Sequence, residues 1–170
     1  MMVLESDRLR FRHLTLEDAP FILELVNEPS WLRFIGDRGV RSLEDSRLYI
    51  RNGPIAMYEA FGFGLYAIEQ KVDKAPIGLC GLVKRDGLQD FDLGFALLPR
   101  FWGQGFAREA AAAVLVHAKG VCGLARLVAI ATPDNERSIK LLEHLGFRFE
   151  RRVELSPNNP GTWQLFARLL

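Results

Sequence analysis

The segment Leu97-Leu98-Pro99-Arg100-Phe101-Trp102-Gly103-Gln104-Gly105-Phe106-Ala107 runs a strand-like apolar stretch into a glycine turn and then into a helix. Glycines at 103 and 105 let backbone N–H groups close on an anion, and the first helical turn adds unpaired donors and a positive dipole end. The pattern suits a pyrophosphate, and a plain strand-to-helix turn is the other reading of it. Two common nucleotide-binding folds do not fit. A dinucleotide fingerprint needs a third glycine where Arg108 stands and a parallel βαβ setting, and no Gly-Lys-Ser or Gly-Lys-Thr follows the loop.

The rest of the chain fits a single soluble domain, residues 1–170. Its 170 residues are 49% hydrophobic with a formal charge of +1, enough apolar material for one core and no electrostatic case for nucleic acid or an anionic membrane. Charged residues appear by position 5, ahead of any signal-like apolar run, and a cytoplasmic location is the expectation. Cys80 and Cys122 lie in apolar segments and read as small hydrophobes. His13, His117 and His144 show no ligand spacing, so no metal is expected.

Periodicity gives an α+β, three-layer reading. A short strand spans Leu9, Phe11 and Leu14, and Thr15-Leu16-Glu17-Asp18 resembles a capping box before a helical stretch reaching position 28. A second cap at Ser42 starts another helix after the exposed loop Gly36-Asp37-Arg38-Gly39. Apolar runs at 63–69, 77–84 and 91–98 form an antiparallel meander. A helix over 106–119, a strand over 127–131, a helix opened by Pro133-Asp134-Asn135 and closed by Gly146, and strands over 147–155 and 162–169 follow. The sum is a mixed, mostly antiparallel sheet of about seven strands with helices on both faces.

Two motifs together carry a resemblance. Arg100-x-x-Gly103-x-Gly105-x-Ala107 is followed, after one helix and one strand, by Asn135-Glu136-Arg137-Ser138-Ile139-Lys140-Leu141-Leu142-Glu143-His144-Leu145-Gly146-Phe147. The pair resembles the GNAT N-acetyltransferase superfamily. Arg8-Leu9-x-x-Arg12 and the Leu-Pro-x-x-Trp-Gly-Gln-Gly-Phe-Ala wording resemble its RimJ/RimL-type branch, whose founding members acetylate N-termini of ribosomal proteins.

The resemblance implies an acetyl-CoA-dependent N-acetyltransferase acting by direct attack of an amine acceptor, with no metal. It implies a sheet that splays between the strands ending at Leu98 and Ala131, so that pantetheine amides pair with backbone at Leu97 and Leu98. The pyrophosphate then rests on N–H groups from Phe101 to Ala107, a stretch holding Gly103, Gln104, Gly105 and Phe106. Arg100 is a candidate phosphate contact, and equally a solvated loop arginine. Asn135 and Ser138 are candidates to hold the arm, with helix capping the competing role for Asn135. Trp102 reads as core, with shielding of the pyrophosphate loop as its other role.

Leu142 stands where many relatives carry a tyrosine acid, which leaves Ser138, water, or one of Tyr49, Tyr58 and Tyr66 to protonate the leaving thiolate. Asp92 matches a position where several relatives have a base, with Asp90, Glu59 and Glu69 as alternatives. The acceptor side is assigned to the first helices, the 31–39 loop and the last hairpin, with Asp37 and Arg38 lining the mouth. A catalytically silent acyl-CoA-binding module is the other functional reading, and a symmetric homodimer is left open, since nothing in the sequence marks its interface.

Overall fold

In a computed structural model, residues 2–155 and 160–170 are described, and part of the expected last hairpin, positions 156–159, lies outside the described residues. One sheet of eight strands organises the chain: β1 (Met2–Glu5), β2 (Leu9–His13), β3 (Leu65–Gln70), β4 (Pro76–Val83), β5 (Asp92–Leu97), β6 (Arg126–Ala131), β7 (Arg148–Glu154) and β8 (Thr162–Leu169). Their spatial order is β1-β2-β3-β4-β5-β6-β8-β7. All neighbours are antiparallel except β5 and β6. The strand beyond the expected seven is β1, four residues paired to β2.

Helices α1 (Ala19–Leu25), α2 (Pro29–Phe34), α3 (Leu43–Ile50) and α4 (Ala56–Phe61) precede β3. The stretch expected to be helical to position 28 ends as α1 at Leu25, and α2, opened by Pro29, follows beyond it. Ser42 caps α3 as its sequence suggests, its hydroxyl accepting from the Asp45 N–H at 3.0 Å. Helix α5 (Phe106–Gly120) joins β5 to β6, and α6 (Glu136–His144) joins β6 to β7.

Strand alternation divides the core into two. Leu93 and Leu97 of β5 pack with Phe106, Ala110, Ala111, Val114 and Ala118 of α5 and with Leu142 of α6. Ala96 and the neighbouring Leu98 belong to the opposite layer, with Ile22 and Leu25 of α1, Trp31 of α2 and Ile50 of α3. The alanines at 110 and 111, both 0% exposed, let α5 lie close on the sheet. Among the described residues no helix is long and apolar enough to cross a membrane.

Strand β4 approaches β5 so closely that a side chain at position 78 has no space. A Cβ on Gly78 would lie 2.2 Å from the Ala96 carbonyl oxygen and 2.9 Å from Leu97 Cα. Gly78→Ala is expected to destabilise the fold by about 1–3 kcal/mol through overpacking, read as a lower denaturant midpoint.

Candidate active site

β5 and β6 begin side by side and then part. Their register contains one parallel partner pair, Asp92 with Val128, reinforced by Val128 N–H donating to the Phe91 carbonyl at 3.1 Å. Toward Leu97 and Ala131 the strands separate, and residues of both line an open cavity of about 1120 Å³.

The antiparallel register with β4 determines which β5 backbone groups face that slot. Leu98 N–H donates to Ile77 at 2.9 Å, and the Leu98 carbonyl accepts from Phe101 at 2.9 Å. Leu98 therefore points its backbone to β4 and its side chain, 0% exposed, into the core; it does not share the slot with Leu97, contrary to expectation. Alternation gives the slot side to Leu93, Phe95 and Leu97 instead. The Leu97 carbonyl is taken by the Trp102 indole N–H at 3.0 Å, which leaves the Leu97 N–H.

The glycine loop opens where the slot ends. Phe101 and Trp102 N–H groups close a short 3-10 turn on Leu98 and Pro99, so neither belongs to the expected cradle. Among the described residues no backbone carbonyl takes the N–H groups of 103–108, so the open donors begin at Gly103. Gly103 and Gly105 have φ of +76° and +81°, the left-handed region glycine enters without penalty. Gly103, Gly105, Phe106, Ala107 and Arg108 line the cavity; Gln104 does not.

Arg8 clamps this loop from behind. Its Nη1 donates to the Gln104 carbonyl at 2.9 Å and its Nε to Glu109 Oε2 at 2.7 Å. Its guanidinium covers the Phe106 ring at 4.2 Å. Ser6 Oγ and the Arg8 N–H donate to Glu109 Oε1 at 2.6 and 2.8 Å. Burial pushes the Glu109 carboxyl up, but these bonds prevail and hold it below the usual range. Losing the anchor with Glu109→Ala is expected to raise the Kd for acetyl-CoA by about three- to tenfold while leaving the fold intact, as calorimetry beside a melting curve would show.

Arg100 does not reach the loop: its Nη1 donates to Glu24 Oε1 in α1 at 2.7 Å and its side chain is largely exposed. Trp102 packs against the core and also lines the slot, with Arg137 stacked on it at 4.4 Å. Two further cations line the cavity: Arg108, one residue past the glycine-loop motif, and Arg137, inside the second motif. Asn135 caps α6, its Oδ1 accepting from the Ser138 N–H at 3.3 Å, and Asn135 and Ser138 both line the cavity. Capping and cofactor contact are compatible here, because the cap uses the amide oxygen and leaves the NH2.

At the closed end of the slot Asp92 is 1% exposed and ion-paired to Arg85 from the β4–β5 loop. Burial pushes its carboxyl above the usual range, against the pull of Arg85. Asp92 lines the cavity; Asp90, Glu59 and Glu69 do not. Asp90 instead accepts from Arg126 at 3.1 Å and Glu69 from Arg12 at 3.0 Å. Of the tyrosines only Tyr49 lines the cavity. Tyr58 donates to the Leu65 carbonyl and Tyr66 stands beside His117 at 3.4 Å. Leu142 is 1% exposed inside the core. In the 36–39 loop Arg38 faces the cavity, whereas Asp37 turns away to Arg41 and the Gly39 N–H.

A family model described as an acetyltransferase (GNAT) domain matches residues 8–148. The uncharacterized N-acetyltransferase YoaA of Bacillus subtilis is 30% identical over 149 residues, 87% of this chain and 84% of that protein. Among solved structures, RimL, a ribosomal alpha-N-protein acetyltransferase in complex with coenzyme A, superposes with a TM-score of 0.83 at 20% identity, covering 100% of this chain and 98% of that one. An acetyltransferase from Agrobacterium tumefaciens superposes with a TM-score of 0.82 at 23% identity, covering 99% and 94%.

Proposed function

The chain belongs to the GNAT acetyltransferase family, and on that premise we propose that it transfers acetyl from acetyl-CoA to a primary amine by direct attack within a ternary complex. The observation that carries this reading is the slot: β5 presents an unpaired edge that ends on a run of open N–H donors. A pantetheine arm can pair with that edge as an added strand would, while the pyrophosphate meets residues 103–108 and the N-terminus of α5. The Asp92–Val128 bridge pairs β5 with β6 as far as the Leu93 N–H, so the open donors of the edge are those of Phe95 and Leu97, about 7 Å apart at a strand rise of about 3.3 Å per residue. The thioester then lies toward Asp92. Arg108 and Arg137 supply positive charge beside the phosphates, Asn135 offers its NH2 to the arm, and Arg100 and Leu98 drop out of the contact set.

In the reaction the amine nitrogen attacks the acetyl carbonyl and the C–S bond breaks. The proton released from nitrogen passes to Asp92, directly or through water, and CoA leaves as a thiolate that takes up a proton. Backbone N–H groups of β5 facing the slot polarise the carbonyl. A thiol of pKa ~8.5 leaves with little help, so Ser138 or water suffices to protonate it where Leu142 replaces a tyrosine. Tyr49 brings a further hydroxyl to the cavity, which Ser30 and Ser138 also line. Its burial keeps the phenol protonated and able to donate.

The test is release of free CoA thiol from acetyl-CoA by the purified protein against N-terminal peptides, amino acids, polyamines and aminoglycosides. Acceptor-dependent release is the expected result. Tight acetyl-CoA binding that no acceptor converts to release would replace the enzyme by a silent binding module.

A further inference from the structure

We propose that Arg85 is a positioning residue for the reaction: it holds one oxygen of the Asp92 carboxylate and keeps the group ionised, so that the other oxygen meets the acceptor amine as its proton acceptor. This rests on the acetyl-transfer reading and gives a role in that site to a residue outside both sequence motifs.

The backbone of Asp92 is fixed from both sides. It stands opposite Val83 of β4 and opposite Val128 of β6, where the two parallel strands are still together. Its buried side chain reaches the cavity wall. Arg85 lies two residues beyond Val83, in the connection between β4 and β5, and that connection is tied down. The Arg85 carbonyl accepts from the Leu88 N–H at 3.3 Å, Lys84 Nζ donates to the Leu88 carbonyl, and the buried Leu88 side chain packs with Val128, Val153 and Leu165. From this backbone Arg85 Nε donates to Asp92 Oδ2. Among the described residues no other side chain bonds to Asp92, and its Oδ1 takes no hydrogen bond. The other charged or titratable groups lining this end of the cavity are Lys84 and Asp86 of the same connection, Arg38 before α3 and Tyr49 of α3.

A carboxyl taken out of water with no counter-charge keeps its proton rather than bear the cost of a buried anion, and a protonated Asp92 cannot act as a base. Burial pushes this carboxyl up, and the Arg85 charge and hydrogen bond pull it back down. Arginine holds its own proton at every pH at which the enzyme can be assayed, so the pull is constant. The single bond through Nε also fixes the side chain while leaving the lone pairs of Oδ1 for the incoming proton, which spares the reaction the cost of orienting the base. In the step itself the N–C bond forms, the C–S bond breaks, the proton leaving nitrogen goes to Oδ1 and the thiolate takes up a proton. Arg85 gives up none of its own, and Asp92 returns its proton to water before the next turnover.

Arg85→Met removes the charge and keeps much of the side chain's length, and Arg85→Gln is a second neutral variant should the first fold poorly. In either, the acid limb of the pH profile is expected to move up by about one pH unit or more, so that the rate on the acid side falls about tenfold or more and most of it returns at high pH. Arg85→Lys, which keeps a charge but not the planar fork, is expected to hold the limb near its wild-type position with a lower kcat. Acetyl-CoA affinity holds in all three. The same movement is read without turnover by following the Asp92 carboxyl by NMR in protein carrying 13C-labelled aspartate, with Asp92→Asn identifying its signal. An Asp92 titration that does not move in the neutral variants overturns the proposal. So does a rate lowered equally at every pH beside a lower melting temperature, the signature of a purely structural pair. An upward-moving titration in a protein that releases no CoA with any acceptor leaves the Arg85–Asp92 coupling standing and removes the acetyl-transfer reading instead.

Discussion

Replacing Gly103 by valine is expected to weaken acetyl-CoA binding by at least about a hundredfold while leaving the melting temperature nearly unchanged. Gly103 holds φ at +76°, and a Cβ built there meets no protein atom within 4 Å. The protein therefore has room for the side chain, and the damage falls on the loop. An L-residue in the left-handed region costs about 1–2 kcal/mol, more when β-branched. The loop relieves that strain by rotating out of the conformation that aligns the N–H groups of 103–108. Losing two charge-assisted bonds of about 1.5–3 kcal/mol each accounts for the expected loss of affinity. Gly103→Asn should bind more tightly than Gly103→Val, because asparagine tolerates the left-handed region. Calorimetry with acetyl-CoA decides the matter, and an unchanged Kd in the valine variant would remove the loop from the binding site.

The glycine loop could be read from the sequence because everything it needs is local: two glycines, an apolar strand before and a helix after. The caps at Ser42 and Asn135 are legible for the same reason, and both accept the N–H three residues on. Helix α5 and strand β6 begin and end within a residue or so of expectation, since long apolar periodic runs leave little choice. Strand β1 is four residues with little alternation and exists through its pairing with β2, which no local signal encodes.

Side-chain destinations follow a different logic. Leu97 and Leu98 were both expected to face the slot, although adjacent residues in a strand point their backbone groups to opposite edges; period two alone separates them. Arg100 sits correctly in the loop, but its long side chain chooses Glu24, 76 residues upstream, and no spacing rule reaches that far. Arg108 and Arg137 are within reach of the sequence, since one directly follows the glycine-loop motif and the other lies inside the second motif, each in the first turn of a helix. The convergence of Arg38, Tyr49, Arg85 and Asp92 on one cavity is not, because loop, helix and strand meet only once the sheet has folded. The cofactor half of the site is thus sequence-local, and the acceptor half is a product of topology.

Asp92→Asn tests that acceptor half, with kcat expected to fall by about a hundred- to a thousandfold and acetyl-CoA affinity to hold. Asparagine keeps the shape of the side chain and can still accept from Arg85, so packing at this 1% exposed position is preserved. What disappears is the proton acceptor. A base works only when deprotonated, so the wild-type rate rises with pH through the pKa of Asp92 in the folded protein. Burial carries that pKa upward from 3.8, so the rising limb lies above the ordinary carboxylate range and is followed at higher pH by deprotonation of the amine itself. In the asparagine variant the lower limb vanishes and only the amine's limb remains. A structural role gives the opposite signature. If Asp92 serves only as counter-charge to Arg85, the substitution lowers the melting temperature, leaves two kinetic limbs in place and reduces kcat by no more than a few-fold. The pH profile separates the two roles where a single rate does not, because either role makes the variant slower.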